Sequence, residues 1–101
     1  MADSTPFEDL LAVMERLRAP GGCPWDREQT LSTLRTYVLE EAYEVIEAID
    51  SGRPEALREE LGDLLLEVVF LTQICKEQGM FTMNEVAATV AWRQRMLDPH
   101  R

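Results

Sequence analysis

Apolar residues recur every three or four positions along most of this chain, which is the spacing of one face of an α-helix. No segment shows the strict alternation of apolar and polar residues that predicts a half-buried strand. Four helices are predicted: one opening at Thr5-Pro6 and ended by Ala19-Pro20-Gly21-Gly22, one from about Glu28 to Asp50, one from Pro54 to near Gly79, and one from Thr82 to about Leu97. We therefore expect an all-α fold, with residues 1–101 forming one domain.

Local signals support the predicted helix ends. Thr5 with Glu8 and Thr82 with Glu85 have the spacing of a capping box, in which two side chains bond reciprocally to free backbone N–H groups. Residues 23–26 contain a proline and no helical repeat, so we expect a loop before the second long helix.

The third predicted helix is apolar around almost its whole circumference. Its apolar residues are Leu64, Leu65, Leu66, Val68, Val69, Phe70 and Leu71. A helix that is apolar on all sides is normally buried on all sides. We therefore expect it at a subunit interface, most simply in a two-fold dimer, so that helices pair across the interface into an oligomeric bundle. The alternative is that the first and fourth helices cover it within one chain.

Two acidic pairs lie within the second and third predicted helices: Glu41 with Glu44, and Glu60 with Asp63. Because a helix turns about 100° per residue, positions three apart share one edge. The apolar faces of the two helices are marked by Val38, Ala42, Val45, Ile46 and Ile49, and by Leu57, Leu61, Leu64, Leu65 and Val68. Both acidic pairs fall beside these faces, so packing the helices together is expected to bring four carboxylates to the rim of a core.

These four acids lack the partners that surface acids usually have. None has Lys or Arg four residues away, and Asp63 has Glu59 and Glu67 at that spacing. Like charges so close need a positive charge among them, and a divalent cation is the natural candidate. An all-carboxylate site favours Mg²⁺, with Mn²⁺ as the usual substitute, and suits hydrolysis of a phosphate chain. The alternative is that the acids are only a solvated surface.

The composition of the chain restricts the classes of binding partner that we expect. The net charge of −9 argues against a nucleic acid or an anionic membrane as partner, but not against a phosphorylated ligand bridged by metal. No apolar run is long enough to span a bilayer, and no signal-peptide pattern is present, so a cytoplasmic location is expected. Cys23 and Cys75 have no metal-type spacing, and His100 is expected at the surface.

The acids form part of a longer pattern. Glu40-Glu41-Ala42-Tyr43-Glu44 followed by Glu60-Leu61-Gly62-Asp63 resembles the EExxE…ExxD signature of the MazG family of nucleoside triphosphate pyrophosphohydrolases. The segments at 21–30 and 57–65 are also similar to those of the family, and the likeness is closest to the first domain of tandem MazG proteins.

This resemblance implies an all-α oligomer, a homodimer or homotetramer, that hydrolyses nucleoside triphosphates to the monophosphate and pyrophosphate with Mg²⁺. Carried over by position, it implies metal ligands at Glu41, Glu44, Glu60 and Asp63. It also implies that Glu40, Glu41 and Glu44 are catalytic, with Glu40 orienting a ligand or handling a proton. It further implies that Trp25 borders the nucleotide, although Trp25 could equally pack its loop on the core, and that Arg93 and Arg95 reach substrate phosphate.

The chain departs from the family near its end, where Met96 and Leu97 stand at two positions expected to be basic. Two further hypotheses therefore stay open. One is a related all-α enzyme with a narrower substrate, such as a dUTP or phosphoribosyl-ATP hydrolase. The other is a catalytically weak or silent helical dimer that acts as a nucleotide sensor or interaction module.

Overall fold

The computed structural model describes residues 3–97, and within that range it contains five α-helices and no strand. The helices are α1 (Pro6–Arg18), α2 (Pro24–Glu28), α3 (Leu31–Ser51), α4 (Pro54–Glu77) and α5 (Met83–Leu97). The all-α fold class is confirmed, and the four long helices correspond to the four that the sequence predicts. His100 lies outside the described residues.

The short helix α2 corrects the prediction of a loop and of only four helices. Pro24 occupies its first turn, where a fixed φ angle favours helix and the missing N–H costs nothing. The N–H of Arg27 donates to the carbonyl of Cys23 at 3.0 Å. The next helix begins at Leu31, later than predicted, because Thr30 caps it by exchanging hydrogen bonds with Thr33.

Both predicted capping boxes and the predicted end of the helix before Gly52 are confirmed. The hydroxyl of Thr5 accepts from the N–H of Glu8, whose carboxylate accepts from the N–H of Thr5, and Thr82 and Glu85 make the same exchange. Gly52 ends α3 in the left-handed conformation, with φ of 70°, which suits glycine. Gly52 therefore fixes the end of α3, one of the two helices that carry the acids.

The core lies where α1, α3 and α4 meet. Its buried members are Met14, Leu34, Val69, Phe70 and Ile74. Cys75 is also buried, as expected for the end of an apolar helix, and both cysteines are free. No helix in the described part of the chain is long and apolar enough to cross a membrane.

The buried face of α3 differs from the predicted one. Leu34, Glu41 and Ala48 are buried, while Ile46 and Ile49 are more than half exposed. Glu41 therefore lies within the buried face and not beside it. The reason is that α3 carries two apolar stripes, and one chain buries only the stripe that faces α4.

A second set of apolar side chains is left exposed on α3 and α4. We call it the exposed apolar stripe: Leu39, Tyr43, Ile46 and Ile49 on α3, with Leu61, Leu65 and Val68 on α4. Helix α5 lies against α4 near the start of α5, and the side chains of Val90, Trp92, Met96 and Leu97 are exposed. Neither α1 nor α5 buries the exposed apolar stripe within the single chain.

Candidate metal centre

Helices α3 and α4 bring three carboxylates to one place. Gly52 and Arg53 connect the two helices, so they lie side by side as antiparallel neighbours. Glu41 on α3 then faces Glu60 and Asp63 on α4. One carboxylate oxygen from each of the three lies within 4.8 Å of the others.

The carboxylate of Glu41 is in an unfavourable environment. Glu41 is only 8% exposed, and its Oε1 atom, like Oε1 of Glu60, is buried without a hydrogen-bond partner. Among the described residues, no ion pair includes either side chain. Burial, with the carboxyls of Glu60 and Glu44 beside it, raises the pKa of Glu41 to about 8. The cluster therefore needs a positive charge, and no described side chain forms an ion pair with Glu41 or Glu60 to supply it.

A cation would resolve this environment. The unpaired oxygens of Glu41 and Glu60 point to an absent partner, and the donors are oxygen atoms only. Hard divalent cations prefer such donors. The residues present therefore fit a metal ion held by Glu41, Glu60 and Asp63.

The two remaining predicted acids lie differently. Glu44, one turn after Glu41, is exposed, but its carboxyl is close enough to Glu41 to raise the pKa of that side chain. It is not among the three carboxylates within 4.8 Å of one another. Glu40 is exposed and is also outside that group. Glu44 is therefore an exposed carboxylate beside the cluster.

Trp25 has features of both roles considered for it. Its ring meets Tyr37 edge to face at 5.8 Å and Phe70 at 6.2 Å, yet 48% of the residue is exposed. Tyr37 precedes Glu41 by one turn of α3. The Trp25–Tyr37 pair therefore packs on the core and also presents aromatic surface one helical turn from the acids.

Arg93 and Arg95 are exposed on α5. Arg93 lines a cavity with Phe81, Glu85 and Val86, whose other lining residues are Thr89 and Val90. No acid of the cluster lines this cavity. The single chain does not bring Arg93 to the acids.

The sequence prediction missed Arg18, which fixes α2 in place. Its guanidinium donates to both carboxylate oxygens of Glu77 at 2.9 Å and to the backbone carbonyls of Asp26 and Gln29, and it lies over the ring of Phe70. Because Arg18 and Glu77 are 59 residues apart in the chain, no local spacing signals the pair.

The prediction also left out Glu67 as a site residue. This residue lies one turn after Asp63 on α4, and its Oε2 atom is buried without a hydrogen-bond partner. Its signal was visible in the sequence, as a carboxylate four residues from Asp63 inside an otherwise apolar run.

Comparison with known proteins agrees with the geometry. The chain is 49% identical over 94 residues to the nucleoside triphosphate pyrophosphohydrolase/pyrophosphatase MazG of Thermotoga maritima, with 93% of this chain and 37% of the relative covered. It is 48% identical over 95 residues to a nucleoside triphosphate pyrophosphohydrolase of Escherichia coli K12, with 93% and 36% covered. A protein of the same name from Mycobacterium tuberculosis is 49% identical over 84 residues, with 81% and 25% covered.

The chain thus spans little more than a third of the length of the first two relatives. Residues 29–101, which hold all five predicted acids, match the MazG nucleotide pyrophosphohydrolase domain. The match covers most of the chain, and three of these five acids meet between α3 and α4. The chain belongs to the MazG nucleotide pyrophosphohydrolase domain family.

Proposed function

We propose that this chain hydrolyses nucleoside or deoxynucleoside triphosphates, noncanonical ones included, to the monophosphate and pyrophosphate. The observation that carries the proposal is the set of three carboxylates within 4.8 Å, two of which have buried oxygens without a partner. Family membership and the activity for which the relatives are named support the substrate class. Phosphate chains are anionic, so an anionic site needs a cation to bind them.

We propose Mg²⁺ as the ion, with Mn²⁺ as its substitute, held by Glu41, Glu60 and Asp63 with Glu44 completing the set. Rigid carboxylates on helices suit Mg²⁺, which keeps several waters and takes other ligands from substrate phosphates. When bound, such an ion neutralises phosphate oxygens and lowers the pKa of a bound water.

We assign proton transfer, nucleotide contact and phosphate contact to different side chains. In this proposal Glu44, exposed beside Glu41, accepts the proton of an attacking water. Glu40, which directly precedes Glu41, orients a ligand or handles a proton. Trp25 presents its exposed face to the nucleotide. Arg93 and Arg95 are proposed to reach substrate phosphate from α5 of a neighbouring subunit, because they lie apart from the acids in one chain.

We propose a homodimer or homotetramer in which the exposed apolar stripe is the subunit interface. The stripe joins α3 and α4, the same helices that hold the acids, and no helix of the single chain buries it. A two-fold pairing of two helices with two helices forms a four-helix bundle. The cytoplasmic location stays a prediction.

The test is pyrophosphate release by the purified chain with Mg²⁺ across a panel of common and damaged nucleotides. Asp63→Asn and Glu41→Gln are each expected to reduce turnover by at least about 100-fold, since each removes a charge that holds the ion. Glu47→Gln, an exposed acid elsewhere on α3, is the control and should retain wild-type turnover. Normal turnover by the first two variants, folded by circular dichroism, would refute the site assignment.

A catalytically silent nucleotide sensor is the second candidate. The observation that favours it is the distance along the fold between the acids and the arginines, with Met96 and Leu97 at positions expected to be basic. The same assay separates the two, because a sensor would be stabilised by Mg²⁺ and nucleotide but would release no pyrophosphate.

A further inference from the structure

Glu67 is a partly buried acid with one fully buried carboxylate oxygen, and the proposed metal ligands do not include it. Its Oε2 atom has no solvent contact and no hydrogen-bond partner among the described residues. Burial raises the pKa of Glu67, and the nearby charge of Asp63 adds to this effect. An unpartnered buried oxygen of this kind destabilises a fold, and more strongly when the group is charged. A role in packing alone would be better filled by leucine.

The position of Glu67 links it to the acid cluster. At about 100° per residue, Glu67 points within about 20° of Glu60 and about 40° of Asp63 on the α4 wheel. It lies one turn beyond Asp63, or about 6 Å along the helix axis. Glu67 therefore belongs to the same edge of α4, yet it is not within the 4.8 Å group formed by Glu41, Glu60 and Asp63.

A second unpaired oxygen, independent of Glu67, indicates that the cluster of Glu41, Glu60 and Asp63 lacks a ligand. Glu41 is more than nine-tenths buried, its Oε1 atom has no partner, and one of its carboxylate oxygens lies within 4.8 Å of oxygens of Glu60 and Asp63. An ion held there by three carboxylates would keep some of its waters, as Mg²⁺ usually does. Each of those waters carries hydrogens that need acceptors. One turn beyond Asp63 on the same edge of α4, Oε2 of Glu67 is a buried acceptor without a partner.

We infer that Glu67 is a positioning residue whose Oε2 atom accepts a hydrogen bond from a water bound to the ion held by Glu41, Glu60 and Asp63. This inference rests on the proposed function, since it requires a bound ion. Groups that orient the shell around a metal typically change its affinity by about 10–100-fold when they are removed. Glu67 thus raises the affinity for the ion and orients its water without touching the metal.

The chain offers a matched control for Glu67. Glu59 is also four residues from Asp63, on the opposite side along α4, but it is exposed. The substitutions Glu67→Gln and Glu59→Gln remove the same charge at the same sequence distance from a ligand. A purely electrostatic effect on Asp63 would appear in both variants.

The experiment is a calorimetric titration of the full chain with Mg²⁺ alone, with melting temperatures measured in EDTA. We expect Glu67→Gln to bind about 10–100-fold more weakly with unchanged stoichiometry, and Glu59→Gln to stay within about twofold of wild type. Without the ion, Glu67→Gln should melt no lower than wild type, because the buried charge is gone. Glu67→Leu should likewise bind weakly and melt no lower.

Three results of the titration would overturn the inference: unchanged affinity in Glu67→Gln, equal losses in both glutamine variants, or loss of a whole ion per site, which would make Glu67 a ligand itself. A lower melting temperature in EDTA for both Glu67 variants would also overturn it, since Glu67 would then serve the fold. Failure of wild type to bind Mg²⁺ would instead contradict the proposed function, so the two failures can be told apart.

Discussion

Glu41 occupies a position in α3 that an aliphatic side chain would fill in an ordinary pair of packed helices. Leu34 and Ala48, one heptad before it and one after it, are both buried in the same face. The carboxylate therefore costs the fold free energy whenever it is charged and no cation is present. This cost depends on pH, because protonation removes the charge.

The pH dependence of stability follows from the raised pKa of Glu41. In the folded chain this pKa is about 8, against 4.5 as the ordinary value. The favourable contribution of the protonated form is thus fully present below pH 4.5 and is lost as pH rises through 8. In EDTA, the stability of wild type relative to Glu41→Gln should fall between pH 5.5 and 7.5 by up to about 1.4 kcal/mol per pH unit.

Urea denaturation at each pH measures this difference. Added Mg²⁺ should raise the stability of wild type most at the high end of the range, since the ion replaces the proton. Parallel stability curves for wild type and Glu41→Gln would show that Glu41 titrates normally in the folded chain.

Individual site residues were only partly predictable. The spacing of Glu41, Glu60 and Asp63 indicated that they meet, and the structure brings them together; their role as ligands stays a prediction. The burial of Glu41 was not predictable, because a helical wheel with two apolar stripes does not say which stripe the chain itself covers. Glu67 carried the same signal as the other acids but stood outside the family motif.

At the scale of the elements, capping residues in the sequence predicted the start of α1, the end of α3 and the start of α5. Thr5, Thr82 and Gly52 act where the sequence indicated, because a cap depends on residues only a few positions away. Helix α2 was missed because a helix of five residues is too short to show a periodic pattern. Its position depends on Arg18 and Glu77, which only the tertiary fold brings together.

Arg18→Lys should loosen α2 selectively. Lysine cannot reproduce the paired bonds to Glu77 together with those to the carbonyls of Asp26 and Gln29, so the loss should reach at least about 2 kcal/mol. Urea denaturation followed by circular dichroism measures the loss. Fluorescence of Trp25 should also shift towards that of an exposed indole, because α2 carries this residue.

The matched control is Arg53→Lys, at a cation whose bond to Glu55 is exposed. Equal stability of Arg18→Lys and wild type would mean that the guanidinium contacts do not hold α2. Trp92, exposed on α5, should be replaced by Phe in all variants so that the emission reports on Trp25 alone.

At the scale of the whole molecule, a single chain leaves two sets of apolar side chains exposed: the exposed apolar stripe and the apolar side chains of α5. The all-round apolar character of α4 predicted a partner surface, and the structure leaves Leu61, Leu65 and Val68 exposed. The partner that covers them was not predictable from one sequence, because an exposed apolar surface does not by itself identify what binds to it.

Leu65→Glu should weaken self-association. Leu65 is 39% exposed within the stripe, and a charge there would be buried if two copies pair through it. We expect the dissociation constant to rise at least about tenfold, equivalent to about 1.4 kcal/mol. Sedimentation equilibrium measures it.

Val13→Glu is the matched control, since Val13 on α1 is 38% exposed and lies outside the stripe. Association should be unchanged in this variant. A wild-type chain that stays monomeric at high concentration, or equal effects of the two substitutions, would contradict the proposed interface.

The heptad that places Glu41 between Leu34 and Ala48 has a consequence for anyone who engineers this protein. Leucine at position 41 would complete a continuous apolar seam, and replacing unpaired buried acids with aliphatic residues commonly strengthens a fold. A library selected only for resistance to heat should therefore discard Glu41 early. The most thermostable variants would be those that no longer bind the ion.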